Sequence, residues 1–147
     1  YKQTKPAGKP LTLTGASCPT GEPMIPSTIT TANLSHLTGD SLKAAMRIVK
    51  RIASFEPDLN LERVVFRSGE EWRNRGEKYG ETAVLVLIHE GQPSFAKYFS
   101  YDACYEMSDR GRNRDVYRAC DEMTEHLREV GFIPEPMYRW ATSVHPA

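Results

Sequence analysis

The residues of this sequence best suited to chemistry are arginines, and they are densest in the stretch SDRGRNRDVYR, residues 108–118. Four arginines lie in it: Arg110, Arg112, Arg114 and Arg118. Only Asp109 and Asp115 oppose them within the stretch. An arginine guanidinium suits phosphate and carboxylate, and the free amides at a helix N-terminus add partial positive charge. Because an apolar helical pattern follows, the stretch is a candidate anion-binding site; a loop of solvated arginines is the alternative.

A second basic group lies on a predicted helix and faces away from its apolar residues. Its members are Lys43, Arg47, Lys50 and Arg51. Together with the arginine stretch, this group predicts binding of a nucleic acid or a phosphate-bearing ligand. The alternative is an ordinary solvated helix face, because lysine and arginine are good helix formers.

His89 and Glu90 are the best candidates for an enzymatic site, because they follow the most apolar run of the chain, Thr82–Ile88. A simple polar turn is the alternative. The four histidines have no metal-ligand spacing, and the sequence contains no HExxH, GxGxxG, GxSxG or phosphate-loop motif. The sequence therefore predicts no metal and no cofactor, and it argues against an enzyme without excluding one.

The overall composition excludes some classes of function. The formal net charge is zero, which argues against global attraction to DNA or to an anionic membrane. No run of about 18 apolar residues is present, so no membrane span is predicted. Three cysteines without a CxxC spacing predict reduced thiols and a cytoplasmic location, although a disulfide between Cys104 and Cys120 stays open.

Residues 1–36 differ from the rest in composition. Thr, Ser, Pro and Gly supply half of them, and such a stretch has little to bury. We expect an extended arm over residues 1–36, with short edge strands at Leu11–Thr14 and Thr28–Thr31, and a compact domain over residues 37–147.

Two amphipathic helices are predicted in the compact domain. The first begins at the N-cap Asp40 and ends at Phe55, before Pro57. Its apolar residues recur at helical spacing: Leu42, Ala45, Met46, Val49, Ile52 and Ala53. The second spans residues 113–130, with Gly131 at its end. Its apolar stripe consists of Val116, Cys120, Met123, Leu127 and Val130.

The remaining segments predict a sheet. A strand at Arg63–Arg67 is followed by a capping-box match, Ser68 to Glu71, and by a short helix that reaches about Lys78. Thr82–Ile88 is predicted as a central strand buried on both faces, with Phe95–Tyr101 as its antiparallel partner. Met137–Val144 alternates and is predicted as a last edge strand. The fold class is therefore α+β, a single domain with both long helices on one face of a mainly antiparallel sheet of three to five strands.

Three functional hypotheses follow. The favoured one is a small non-enzymatic module that acts through contacts with a protein partner or with a second copy of itself, because no catalytic motif is found and edge strands are available. The first alternative is nucleic-acid or phosphate binding through the two basic groups. The second alternative is an enzyme with its site near His89 and Glu90.

Overall fold

The computed structural model describes residues 25–77 and 79–147, and these form one compact α+β domain, as predicted. The described residues contain the helices α1 (Ser27–Thr30), α2 (Gly39–Phe55), α3 (Gly69–Asn74), α4 (Pro93–Ala96), α5 (Tyr101–Met107) and α6 (Asp115–Arg128). The strands are β1 (Val65–Ser68), β2 (Leu85–Ile88), β3 (Phe132–Tyr138) and β4 (Ala141–Pro146). They form one antiparallel sheet in the order β1-β2-β4-β3.

Helix α2 begins two residues earlier than predicted, because its N-cap is Thr38 and not Asp40. Thr38 is extended, with φ −142° and ψ 166°, and its amide donates to the Ser41 hydroxyl oxygen at 3.3 Å. Asp40 lies inside the first turn, where a carboxylate favours the helix dipole. The helix ends at Phe55, as predicted from the proline two residues later, Pro57.

Helices α2 and α6 pack on the same face of the sheet, which confirms the predicted architecture. Val49 and Leu127 are fully buried in one core, together with Leu85 and Val144 of the sheet. The buried face of α2 is wider than predicted, because it also includes Ala44 and Ile48. On α6 the central residues of the predicted stripe are buried, namely Cys120, Met123 and Leu127, and Gly131 has the expected positive φ of 87°.

The opposite face of the sheet carries a smaller core beneath α3. Trp72 packs there with Ala83 and Val86. The Ser68 hydroxyl accepts a hydrogen bond from the Glu71 amide at 3.0 Å, which confirms this half of the predicted capping box. The Glu71 carboxylate pairs with Arg67 at 3.0 Å and does not return to the Ser68 amide. The helix ends at Asn74, earlier than predicted, and Lys78 lies outside the described residues. Gly69 opens α3 so close to the sheet that a Cβ there would lie 1.8 Å from the Ala83 carbonyl oxygen.

The prediction of a strand over Phe95–Tyr101 is wrong, because this segment forms α4, a turn and the start of α5. Pro93 occupies the first turn of α4, and the Ser100 hydroxyl caps α5 by accepting from the Ala103 amide at 3.3 Å. Phe95 and Phe99 are four residues apart and meet at a ring distance of 5.4 Å. Their spacing fits a helical turn as well as a strand, and burial against α2 and the sheet decides between them.

The prediction of one edge strand over Met137–Val144 is also wrong, because a hairpin turns within it. Strand β4 begins at Ala141 and lies inside the sheet between β2 and β3. The preceding residues form β3, an edge strand that contains Pro134 and Pro136. Proline lacks an amide donor, but an edge strand tolerates it.

The predicted edge strand at Thr28–Thr31 is instead the short helix α1. Thr28 is fully buried, and its amide donates to the Pro57 carbonyl oxygen at 3.2 Å. Leu34 and Leu37 both belong to the main core, so the chain is already packed before α2 begins. The predicted strand at Leu11–Thr14, like all of residues 1–24, lies outside the described residues.

Candidate binding cleft

An apolar depression of the surface lies between the second half of α2, the segment from α4 to α5, and the start of α6. We call it the interhelical cleft; its volume is about 350 Å³. The apolar side chains that line it are Phe55, Tyr98, Met107, Val116, Ala119 and Met123. Phe55 is 55% exposed and Met107 is 40% exposed, so two large apolar side chains lie open to solvent at its rim.

The charged residues around the interhelical cleft are paired with one another. Arg51 lies 3.8 Å from Glu122 across the two long helices. The other two pairs are Lys97 with Glu56 at 2.9 Å and Arg118 with Asp115 at 3.5 Å. Three cations and three anions therefore balance, and the cleft presents an apolar floor inside a neutral polar rim.

Glu56 fixes one wall of the interhelical cleft. Its carboxylate accepts hydrogen bonds from the Lys97 ammonium and from the Tyr98 hydroxyl. Burial, and then the hydrogen bond to Glu56, raise the pKa of Tyr98 above its ordinary value. Tyr98 therefore keeps its proton and acts as a donor that positions Glu56.

Arg51 is the residue of the cleft that has an unused donor. Its guanidinium lies over the Phe55 ring, 4.7 Å from the centroid, while one terminal nitrogen faces Glu122. Its Nε is buried and has no hydrogen-bond partner within the described part of the chain.

The other basic residues of α2 lie outside the cleft. Arg47 pairs at 3.2 Å with Glu129, the residue that follows α6. The Lys43 ammonium lies 6.0 Å from the Phe132 ring centroid, and Lys50 is exposed. Arg47 and Lys43 therefore lie towards the C-terminal end of α6.

The arginine stretch lies at the other end of α6. Arg112 pairs with Asp109 at 3.1 Å, and Arg114 faces the Tyr117 ring at 5.8 Å. Arg110 has a positive φ of 59°. The fourteen residues of α6, about 21 Å at 1.5 Å per residue, separate Arg110, Arg112 and Arg114, which precede the helix, from Glu129, the partner of Arg47. Of the predicted anion-binding residues, Arg51 and Arg118 both line the interhelical cleft.

His89 lies in a different depression, at the end of β2. We call it the His89 cavity; its volume is about 340 Å³, and α4, α5 and the turn between β3 and β4 form its walls. His89 is 2% exposed, and its Nε2 lies 2.9 Å from the Thr142 hydroxyl. Burial lowers the pKa of His89 to about 4, so the imidazole is neutral at pH 7.

This environment does not favour catalysis by His89. A base with a pKa near 4 drives proton abstraction weakly at neutral pH. The hydroxyl beside it belongs to Thr142, which is also only 2% exposed, so a substrate does not reach that pair. Glu90 is exposed and lies at the rim of the cavity. The two predicted residues therefore lie in one depression, where His89 is buried and neutral and Glu90 is exposed at the rim.

The two cysteines of the described residues are free thiols, which answers the question of a bond between Cys104 and Cys120. They face each other between α5 and α6, where burial raises the pKa of both thiols. Cys18 lies outside the described residues. Over residues 25–77 and 79–147, no group of three His, Cys, Asp or Glu side chains is placed to hold a metal ion, and no helix is long and apolar enough to cross a membrane.

Comparisons with known proteins give no family model, no curated protein and no solved structure that matches this chain. The function has to be inferred from the chemistry of the surface depressions themselves.

Proposed function

We propose that the protein is a non-enzymatic interaction module that binds a segment of a partner protein in the interhelical cleft. One large apolar side chain of the partner enters between Phe55 and Met107. The observation that supports this proposal is the exposure of these two side chains over a concave apolar floor. Buried anchors in such pockets supply most of the binding free energy of protein interfaces.

The charge around the cleft favours a peptide over a polyanion. Its cations are already paired with carboxylates, so phosphate groups would compete with Glu56, Asp115 and Glu122. A peptide backbone is uncharged and does not have to displace these carboxylates. The volume of about 350 Å³ suits one or two side chains and not a folded domain edge.

The methionine methyl groups provide a direct test. Met107 and Met123 line the cleft, whereas Met137 packs on the smaller core across the sheet. Peptides selected from a random displayed library against the protein should share a large apolar anchor. In spectra of protein labelled with ¹³C at the methionine methyls, they should shift Met107 and Met123 and leave Met137 unchanged. Peptides without a common apolar residue, or shifts confined to Met137, would contradict the proposal.

Substituting Met107→Glu should weaken binding of these peptides by at least about tenfold, a loss of about 1.4 kcal/mol. The new carboxylate would have to be desolvated against an apolar anchor. Met107 is 40% exposed, so the fold should tolerate the change. Tyr79→Glu is the matched control, because Tyr79 is an exposed aromatic residue outside the cleft. Equal affinities for the two variants, measured by fluorescence anisotropy, would exclude the cleft as the site.

A second candidate function is anion or nucleic-acid binding by the arginine stretch. It is favoured by Arg110 and Arg114, which form no ion pair with any carboxylate of the described residues. If it is right, the protein should be retained on heparin at low salt, and Arg112→Ala with Arg114→Ala should abolish the retention. The control is Arg63→Ala with Arg75→Ala, which removes the same charge from exposed positions elsewhere. Identical elution of the two double variants would exclude this site.

A further inference from the structure

Three tyrosines lie together on the surface where α5 and α6 begin, and we call this surface the tyrosine patch. They line one shallow depression of about 500 Å³. The Tyr101 and Tyr117 rings are 5.7 Å apart at an angle of 49°. The Tyr105 ring and the Tyr117 hydroxyl lie 3.7 Å and 4.0 Å from the position that a Cβ would take on Gly111, so Tyr105 belongs to the same surface. Tyr101 is 57% exposed and Tyr105 is 51% exposed.

The tyrosine patch carries one unpaired charge of each sign. Its remaining lining residues are Asp102, Arg114 and Asp121. Asp121 accepts a hydrogen bond from the Tyr101 hydroxyl. Asp102 and Arg114 are exposed, and neither forms an ion pair with another described residue. The Arg114 guanidinium lies 5.8 Å from the Tyr117 ring centroid, whereas Asp102 follows Tyr101 in the chain, so the two charges lie at opposite ends of the tyrosine pair.

The composition of the patch is that of the centre of a protein interface, where tyrosine and arginine are enriched. Tyr101 and Tyr105 each leave about half of an aromatic side chain, on the order of 100 Å², in contact with water. Contact between two copies of the patch would cover four such surfaces, about 400 Å² in all. This is roughly a third of the ~1,200 Å² that a specific interface buries, and flanking residues of α5 and α6 would supply the rest.

From these observations we propose that the tyrosine patch is the contact surface between two copies of this chain related by a twofold axis. In such a contact, each pairing of one residue with another occurs twice, once in each direction. The patch satisfies this rule by itself, because the Arg114 guanidinium of each copy meets the Asp102 carboxylate of the other while the tyrosines pack around the axis. A polyanion fits less well, because two carboxylates of the patch would repel its phosphates.

This contact leaves the interhelical cleft open for a peptide. No residue that lines the tyrosine patch also lines the cleft. Dimerisation through the patch is therefore independent of the function proposed above, and either can fail without the other.

Charge reversal tests the contact. The wild type should dimerise in sedimentation velocity at concentrations below about 1 mM, as a specific interface requires. Asp102→Arg and Arg114→Asp should each weaken dimerisation by at least tenfold, because each places like charges opposite one another in both halves of the contact. An equimolar mixture of the two variants should dimerise again, because each half then joins one positive and one negative side chain. Both positions are exposed, and a heterodimer forms only from folded chains.

The matched controls are Asp58→Arg and Arg63→Asp, which make the same changes at exposed positions outside the patch and should leave the dimer intact. A wild type that stays monomeric, single reversals that leave the dimer unchanged, or a mixture that stays monomeric would each overturn the proposal. Retention of a monomeric wild type on immobilised oligo(dT) would instead assign the patch to single-stranded nucleic acid, whose bases stack on aromatic rings.

Discussion

Replacing Gly69 by alanine is expected to lower the free energy of unfolding by about 3 kcal/mol or more, the upper end of the cost of overpacking. The new Cβ would lie 1.8 Å from the carbonyl oxygen of Ala83 and 2.8 Å from its carbonyl carbon. Both atoms are backbone, and the Gly69 amide is itself bound to the Val84 carbonyl oxygen at 3.0 Å. The clash is relieved only if α3 moves away from the sheet, and Trp72 then loses its burial against Val86.

Gly76→Ala separates this steric effect from the backbone freedom of glycine. Gly76 has a φ of 83°, and no atom lies within 4 Å of the position of a Cβ. Its substitution should cost only about 1 kcal/mol, the penalty of a left-handed conformation. Urea unfolding of both variants measures the difference. A loss at Gly69 no larger than that at Gly76 would show that α3 is not held against the sheet as closely as described.

Lowering the pH from 7 to 4 is expected to remove about 3 kcal/mol of stability through His89 alone. The pKa of His89 falls from 6.5 in the unfolded chain to about 4 in the folded protein. Between these values the unfolded state binds more protons, so this contribution is complete above pH 6.5 and is lost as the pH falls towards 4. The size follows from about 1.4 kcal/mol for each pKa unit.

His89→Gln is the variant that isolates this effect. It should flatten the pH dependence of unfolding between pH 6.5 and 4, whereas His126→Gln should change it less, because His126 is only partly buried and its pKa is lowered by burial to a smaller extent. Urea midpoints across this range give both curves. An NMR titration of the wild type provides a second readout, in which the His89 imidazole should stay neutral at pH 5. A His89 that titrates near 6.5 would contradict the described burial.

The sequence predicts those elements whose local pattern agrees with their final environment. Helices α2 and α6 carry long apolar stripes that only a helix of period 3.6 can bury on one side. The run ending at Ile88 is apolar on both faces, because the main core and the smaller core lie on opposite sides of β2. Ser68 caps α3 through a hydrogen bond between residues three positions apart, which is visible in the sequence.

The wrong predictions concern segments whose pattern is short or ambiguous. Phe95–Tyr101 has helical and strand spacings at once, and the choice depends on contacts with α2, far away in the chain. The turn at Arg139 and Trp140 has neither glycine nor proline, so the hairpin of β3 and β4 gives no turn signal. Pro134 and Pro136 mark the end of a helix, but they do not exclude the edge strand that follows.

The interhelical cleft could not be predicted because its residues come from separate elements. From the sequence, Phe55 is predicted only as the last residue of a helix, and Met107 lies in a segment without a clear periodicity. A cation four residues before an aromatic residue, Arg51 to Phe55, is a local signal that could have marked the exposed end of α2. The hydrogen bond between His89 Nε2 and the Thr142 hydroxyl joins residues that no local pattern connects.

The prolines of β3 have a consequence for assembly. Pro134 and Pro136 lie on an outer strand of the sheet, and neither can offer an N–H to an incoming chain. Donor-strand exchange and fibril growth need a continuous row of backbone N–H donors along the edge strand, and β3 lacks two of these donors. Any higher-order association of the protein through this side of the sheet is therefore disfavoured, and replacing both prolines by threonine would restore these N–H donors and favour polymerisation through this edge.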